Sequence, residues 1–148
     1  TDTLPLLLAS DEIILVTTPE PTSLTDAYTV LKTLSKNRPD LNIKLVVNRC
    51  SHALEGLKTA QRIQTVAKQF LDQDVHYLGY LVQDQSVQQA VIRQQPFLYL
   101  YPTSKASQAV RLMAAQYLNR PLSLPKRSEG GLGGLFKRLM GSWKRSTG

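Results

Sequence analysis

Residues 12–28, EIILVTTPEPTSLTDAY, restrict what this 148-residue chain can fold into more than any other stretch. The run Ile13, Ile14, Leu15, Val16, Thr17 is aliphatic and β-branched, and it breaks at Pro19 and Pro21. Proline cannot donate to a sheet ladder and biases the preceding residue towards extended backbone. The hydroxyls of Thr22 or Ser23 suit a helix N-cap, and Asp26 would complement the free N–H groups of a first turn. The stretch predicts strand, tight loop and helix, which is the opening of a βαβ unit. Its loop would lie at the carboxyl end of a parallel strand, where open α/β sheets hold their ligands.

The rest of the body repeats the pattern. Residues 4–9 are an apolar run expected to pack on the sheet as a helix end or loop. A first helix is expected over residues 22–35, with Leu24, Ala27, Tyr28, Leu31 and Leu34 at helical spacing and a stop near Pro39. Residues 42–48 form a second strand, apolar on both faces at its centre. A second helix follows over 54–71, with Leu57, Ala60, Ile63, Ala67, Phe70 and Leu71 as its stripe. The third strand covers 75–82, where Gly79 would let a neighbour approach closely. Residues 86–94 form a short helix ending before Pro96. A last helix, capped near Ser104, runs to Asn119 and buries Ala106, Ala109, Val110, Met113, Ala114 and Tyr117. The order predicts an α/β fold with a parallel, doubly wound sheet. Three strands apolar on both faces leave open edges, so the sheet is expected to be part of a larger one.

Beyond Arg120 the composition changes. Residues 121–131 are rich in Pro, Gly and Ser and predict a linker between a body (1–120) and a terminal helix (132–145). Residues 121–148 carry six Lys/Arg against Glu129, whereas the body's twelve cations and ten carboxylates leave it at +2 of the total +7. Within the segment, Leu132, Leu135, Phe136, Leu139, Met140 and Trp143 fall on one helical stripe, with Lys137, Arg138, Lys144 and Arg145 on the other face or its margins. Gly133, Gly134 and Gly141 each cost up to ~1 kcal/mol of helix propensity, so the helix is expected only where its apolar face is buried. Apolar stripe, aromatic anchors and basic flanks together fit an interfacial helix on anionic lipid. Docking onto the chain's own core is the alternative.

Cys50 is the single cysteine, which rules out an internal disulfide framework and suits a reducing compartment. No secretory leader and no spanning helix is legible, and the opening TDTLPLLLAS reads as the interior of a longer sequence. No catalytic or metal-ligand spacing is present: His52 and His76 stand apart, Asp72 and Asp74 read as turn residues, and there is no GxxxxGK[ST] or GxGxxG. Attention falls on three loops at the strands' carboxyl ends: 18–21, 48–50 and 82–84. Asn48 could offer donor and acceptor to a purine edge or could cap the second helix, and both readings stand.

At these loops the sequence resembles the second half of MinD/ParA-type ATPases. It is most like the FlhG/FleN (YlxH) branch that controls flagellar number and placement. EIILVTTPEPTSLTDAY, KLVVNRC, LGYLVQDQSVQQAV and QQPFLYLYPTSKAS carry the likeness in order from residue 10 to 117. The resemblance implies part of a P-loop NTPase fold with a deviant Walker A motif that would precede this chain. It further implies ATP-dependent dimerisation with ATP and Mg as cofactors. By the VVNR motif, Asn48 would contact the adenine base, with Arg49 beside it. The family's Ile-Pro-x-Asp loop falls on Leu81, Val82, Gln83 and Asp84, with valine in place of proline. Glu20 and Asp26 would lie near the dimer interface, and the terminal amphipathic helix matches the branch's membrane-targeting element. The implied location is cytoplasmic, peripheral at the inner face of the cell membrane. The implied partners are anionic membrane, a second copy in the complete protein, and a flagellar or SRP-type GTPase, with no nucleic acid. Phosphate and Mg residues belong to the family's other half, so this chain alone should not hydrolyse ATP. Two rival expectations are a ParA-type DNA-partition ATPase and a non-enzymatic membrane-tethered interaction module.

Overall fold

The computed structural model describes residues 3–119; the expected linker and the expected helix from Leu132 to Arg145 lie outside them. Three parallel strands, β1 (Glu12–Thr17), β2 (Asn42–Cys50) and β3 (Val75–Val82), pair in the order β1-β2-β3. A five-residue helix, α1 (Leu4–Leu8), precedes the sheet, with Pro5 in its first turn. The crossovers are α2 (Pro21–Asn37) and α3 (Ala53–Leu71). After β3 come α4 (Gln85–Ile92), α5 (Phe97–Leu100) and α6 (Lys105–Leu118). No described helix is long and apolar enough to cross a membrane.

Strand alternation sorts the sheet into two unequal faces. Ile13, Ile43, Leu45, Val47 and Val75 point into a core closed by Ala27, Leu31 and Leu34 of α2 and Ala60, Ile63 and Ala67 of α3. Small residues bring α3 close: Gly56 lies against Tyr80, Tyr77 and Cys50. The opposite face is covered by α6 over β3, and Gly79 is what admits it. A Cβ there would stand 2.7 Å from the Met113 side chain, as the sequence led us to expect. Nothing described covers β1 on this face, so Ile14 and Val16 are 46% and 57% exposed. Among the described residues β1 pairs with β2 alone, which leaves its outer backbone groups open.

Two opposing irregularities govern register. The pairing passes from Leu45↔Tyr77 to Val46↔Gly79, which places an extra residue, Leu78, in β3. It then passes from Val47↔Tyr80 to Cys50↔Val82, which places one in β2 at Asn48–Arg49. The second bulge restores the alignment lost at the first.

Several local expectations are corrected. Helix α2 starts earlier than expected: Glu20 is the N-cap residue and Pro21 the first helical residue, so neither Thr22 nor Ser23 caps it and Asp26 lies beyond its first turn. A proline at this position loses nothing, because the first N–H groups of a helix have no partner. Phe70 is 65% exposed, since the buried line of α3 ends at Ala67, whose carbonyl takes the N–H groups that close the left-handed turn at Asp72. Leu57 is exposed as well. Ala114 and Tyr117 are exposed rather than buried. Tyr117 instead lies under the Lys44 ammonium, 4.4 Å from its ring, and hydrogen-bonds the Glu12 carboxylate. Asn42 and Lys44 complete this cluster by also binding Glu12.

Candidate functional site

The three loops singled out in the sequence do converge, and each is held by its own local chemistry. In the first, Ser23 serves the strand end instead of capping the helix. Its Oγ lies 2.8 Å from Thr17 Oγ1 and accepts the Thr18 N–H at 3.0 Å. Thr17 is buried, so this hydroxyl pair anchors the 18–20 turn against the sheet.

In the second loop Arg49 has φ 58°, the left-handed region that β-bulges often demand of one residue. Asn48 supports it: its Oδ1 accepts the Arg49 N–H at 2.8 Å. Asn48 therefore does not cap α3. That role belongs to His52, whose Nδ1 accepts the Glu55 N–H at 3.2 Å, while the Glu55 carboxylate accepts the Ser51 N–H. The signal was legible as a cap residue followed three positions later by Glu, with His in the place of Ser or Thr. The Asn48 amide nitrogen has no partner among the described residues, so a donor remains for a ligand edge.

The third loop is organised by Asp84. Its Oδ1 accepts the Ser86 N–H at 2.8 Å and caps α4; its Oδ2 accepts the Ala106 N–H at 3.0 Å at the start of α6. These donors, Ala106 first, hold the carboxyl below its usual pKa. One side chain thus fixes two helix starts relative to the end of β3. Leu81 and Val82 are half-buried in the strand end.

Loop is tied to loop. The Arg49 guanidinium lies 3.5 Å from Glu20 Oε1, joining the first two. The Gln83 N–H donates to the Cys50 carbonyl at 2.9 Å, joining the second and third. The Arg49–Glu20 pair is exposed, so it contributes less to stability than to position. Asp26 stands apart, exposed on α2. Cys50 is fully buried, and burial followed by the Glu55 charge pushes its thiol up to about 11. A neutral thiol packed behind the bulge fills space.

A cavity of about 500 Å3 lies elsewhere, between β3 and α6, and of the expected site residues only Val82 lines it. The converging loops form a ledge at the carboxyl edge of the sheet. They carry the side-chain amides of Asn48 and Gln83, the Arg49 guanidinium, the Glu20 and Asp84 carboxylates and the carbonyls at the strand ends.

No family model matches the chain. Among curated proteins it is 33% identical over 132 residues to the antiactivator FleN of Pseudomonas aeruginosa, covering 89% of this chain and 46% of that protein. It is 34% identical over 140 residues to the flagellum site-determining protein YlxH of Helicobacter pylori, covering 90% and 46%. The chain is related to the carboxyl-terminal part of FleN/YlxH-like proteins of the MinD/ParA family. An uncharacterised ATP-binding protein of Methanocaldococcus jannaschii is 28% identical over 142 residues, covering 95% and 51%. The chain thus spans about half the length of the curated relatives it matches. The FleN/YlxH likeness covers about nine tenths of the chain, and the parallel α/β architecture agrees with a P-loop NTPase-like fold.

Proposed function

We propose that this chain supplies the base side of a nucleotide site in a FleN/YlxH-like, ATP-dependent switch that acts in flagellar number or placement. The observation that carries the reading is the ledge at the carboxyl edge of the sheet, where Asn48, Arg49 and Asp84 are brought together by bonds that cross all three loops. Asn48 would present its amide to the base, with Arg49 beside it. Asp84 would act by holding the loop in place, because both of its oxygens already serve helix starts. ATP, with Mg in the remaining half of the protein, would supply the energy of a dimerisation cycle. The open β1 edge and the bare Ile14 and Val16 face support the existence of a larger sheet. Glu20 and Asp26 would lie towards the partner copy.

A test in the complete protein is Asn48→Asp. The carboxylate can still accept the Arg49 N–H, so the fold should hold, but the donor is replaced by a charge. We expect ADP and ATP affinity to fall roughly tenfold, the cost of leaving a base group unpaired, with the melting temperature unchanged. Unaltered affinity would move the base away from this ledge.

The second part of the proposal concerns residues 132–145. Their apolar stripe and four cations would bind anionic lipid reversibly, and two copies in a dimer would bind more tightly than one. Co-sedimentation with phosphatidylglycerol vesicles should be strong for the intact chain and lost for a chain ending at Arg120. Equal sedimentation, or a preference of the intact chain for duplex DNA, would refute the membrane anchor.

A further inference from the structure

Strand β3 ends the described sheet, because it pairs with β2 alone. A cavity of about 500 Å3 lies between the strand and α6. Its lining shows which way it runs. Gly79 faces α6, where Met113 meets it, whereas Tyr77 and Tyr80 reach towards Gly56 of α3. All three line the cavity together with Leu78 and Val82, so it follows the edge of the strand and not one face. In keeping with an edge, every residue from Tyr77 to Val82 is half-buried. The opposite wall is one face of α6, formed by Lys105, Gln108, Ala109, Leu112, Met113 and Gln116. We propose that this groove takes an extended apolar segment of a partner protein, added as a further strand on β3 with an acidic end at Lys105.

Backbone decides the class of occupant. An edge strand keeps a row of N–H and C=O groups whose ladder partners are missing. Among the described residues, the one side chain that bonds the backbone of β3 is Gln64, on the Val75 carbonyl at 2.9 Å, short of the cavity. A docked helix satisfies its own backbone and leaves such a row unused, whereas a strand pairs with it. The two walls agree in length: Tyr77 to Val82 and Lys105 to Gln116 each span about 17 Å at the rise of strand and helix. Five or six residues of strand fit there, with alternate side chains entering between β3 and α6.

Charge decides which end lies where. Lys105 is the one charged side chain among the described lining residues, and it stands exposed in the first turn of α6, where the helix dipole adds to its charge. The Asp84 carboxylate feels that charge but gives both oxygens to the Ser86 and Ala106 N–H groups. Leu78, Val82, Ala109, Leu112 and Met113 ask for aliphatic side chains over the rest of the groove. Residues 121–148, with six Lys/Arg against Glu129, carry the wrong sign for the Lys105 end.

The test uses the complete protein and fluorescein-labelled six-residue peptides of alternating valine and threonine, extended by glutamate at both ends in one and by lysine in the other. Fluorescence anisotropy should show the glutamate peptide binding about fivefold more tightly, less so as salt is raised. Lys105→Gln should remove that difference. The glutamate peptide with every amide N-methylated keeps its side chains but cannot donate, and its binding should be lost. Leu112→Lys, at an exposed position, should weaken binding at least tenfold with the far-ultraviolet circular dichroism unchanged. Pairing at the open edge of β1 would be insensitive to both substitutions. No binding of either peptide, undiminished binding of the methylated one, or an affinity unaltered by Leu112→Lys would overturn the proposal. So would a preference for glutamate that survives Lys105→Gln, which would assign it to the basic residues near the chain end.

Discussion

Gly56→Ala is expected to lower the stability of this chain by about 2 kcal/mol, although alanine is the better helix former. The intrinsic preference favours alanine by about 1 kcal/mol in a helix interior. Against it stands the space available: the added methyl would lie 2.8 Å from Tyr80 Cβ, 3.0 Å from the Tyr77 hydroxyl and 3.3 Å from Cys50 Sγ. Tyr80 Cβ is fixed to the strand backbone, so α3 and β3 must separate, and overpacking of this kind costs about 1–3 kcal/mol beyond the propensity gain. The urea midpoint should fall without a change in slope. Tyr77 supplies the control. Its hydroxyl is buried without a hydrogen-bond partner among the described residues, and burial pushes its pKa up to about 12. Tyr77→Phe removes an unpaired polar group at little cost, and it vacates one of the three contacts the new methyl meets. The double variant should therefore be more stable than the sum of the single effects. A midpoint for Gly56→Ala at or above that of the parent would show that the helix is not pressed against the sheet.

The second large effect is expected at Asp84. Its two oxygens serve the first turns of two helices: it caps α4 through the Ser86 N–H, and beside the Ser104 cap of α6 it takes the Ala106 N–H. One lost cap costs about 0.5–2 kcal/mol, so Asp84→Ala should cost about 2 kcal/mol and lower the melting temperature by roughly 10 °C. Asp84→Asn keeps one acceptor and should fall between. The amide donors hold the folded carboxyl below its unfolded pKa, Ala106 contributing most. A depressed carboxyl stabilises fully above the unfolded value, about 3.9, and loses that contribution as pH falls through the folded value. The gap between parent and Asp84→Ala should thus be constant near neutrality and close below about pH 4. A gap that persists unchanged into acid would remove the charge from the explanation.

The strands were legible because β-branched and aliphatic runs bounded by proline, asparagine and aspartate admit little else, and β1 and β3 fall where the residues placed them. Helix α2 began elsewhere because Ser23, a good cap by type, is claimed by Thr17 and Thr18. That is a tertiary demand no local pattern displays. The converging loops were legible as places, since a parallel sheet must gather its carboxyl ends. Their bonds were not. The left-handed Arg49 follows from a bulge that exists only in the pairing of β2 with β3. The second bond accepted by Asp84 reaches 22 residues along the chain. Tyr117 had the spacing of a core residue, but Glu12 and Lys44 meet it where α6 reaches the start of the strands.

That last cluster gives the molecule two poles. Glu12 and Asn42 open their strands, and through Tyr117 they tie the final turn of α6 to the amino edge of the sheet. Asn48, Arg49 and Asp84 stand at the carboxyl edge, a strand's length away, about 20 Å at the usual rise per residue. The body's last described helix therefore releases the chain at the pole opposite the ledge. Among the described residues, the final turn of α6 meets Glu12 and Lys44 at the amino edge and not the ledge. The strands themselves join the two poles, so stiffness along the sheet is the property that would let one feel the other.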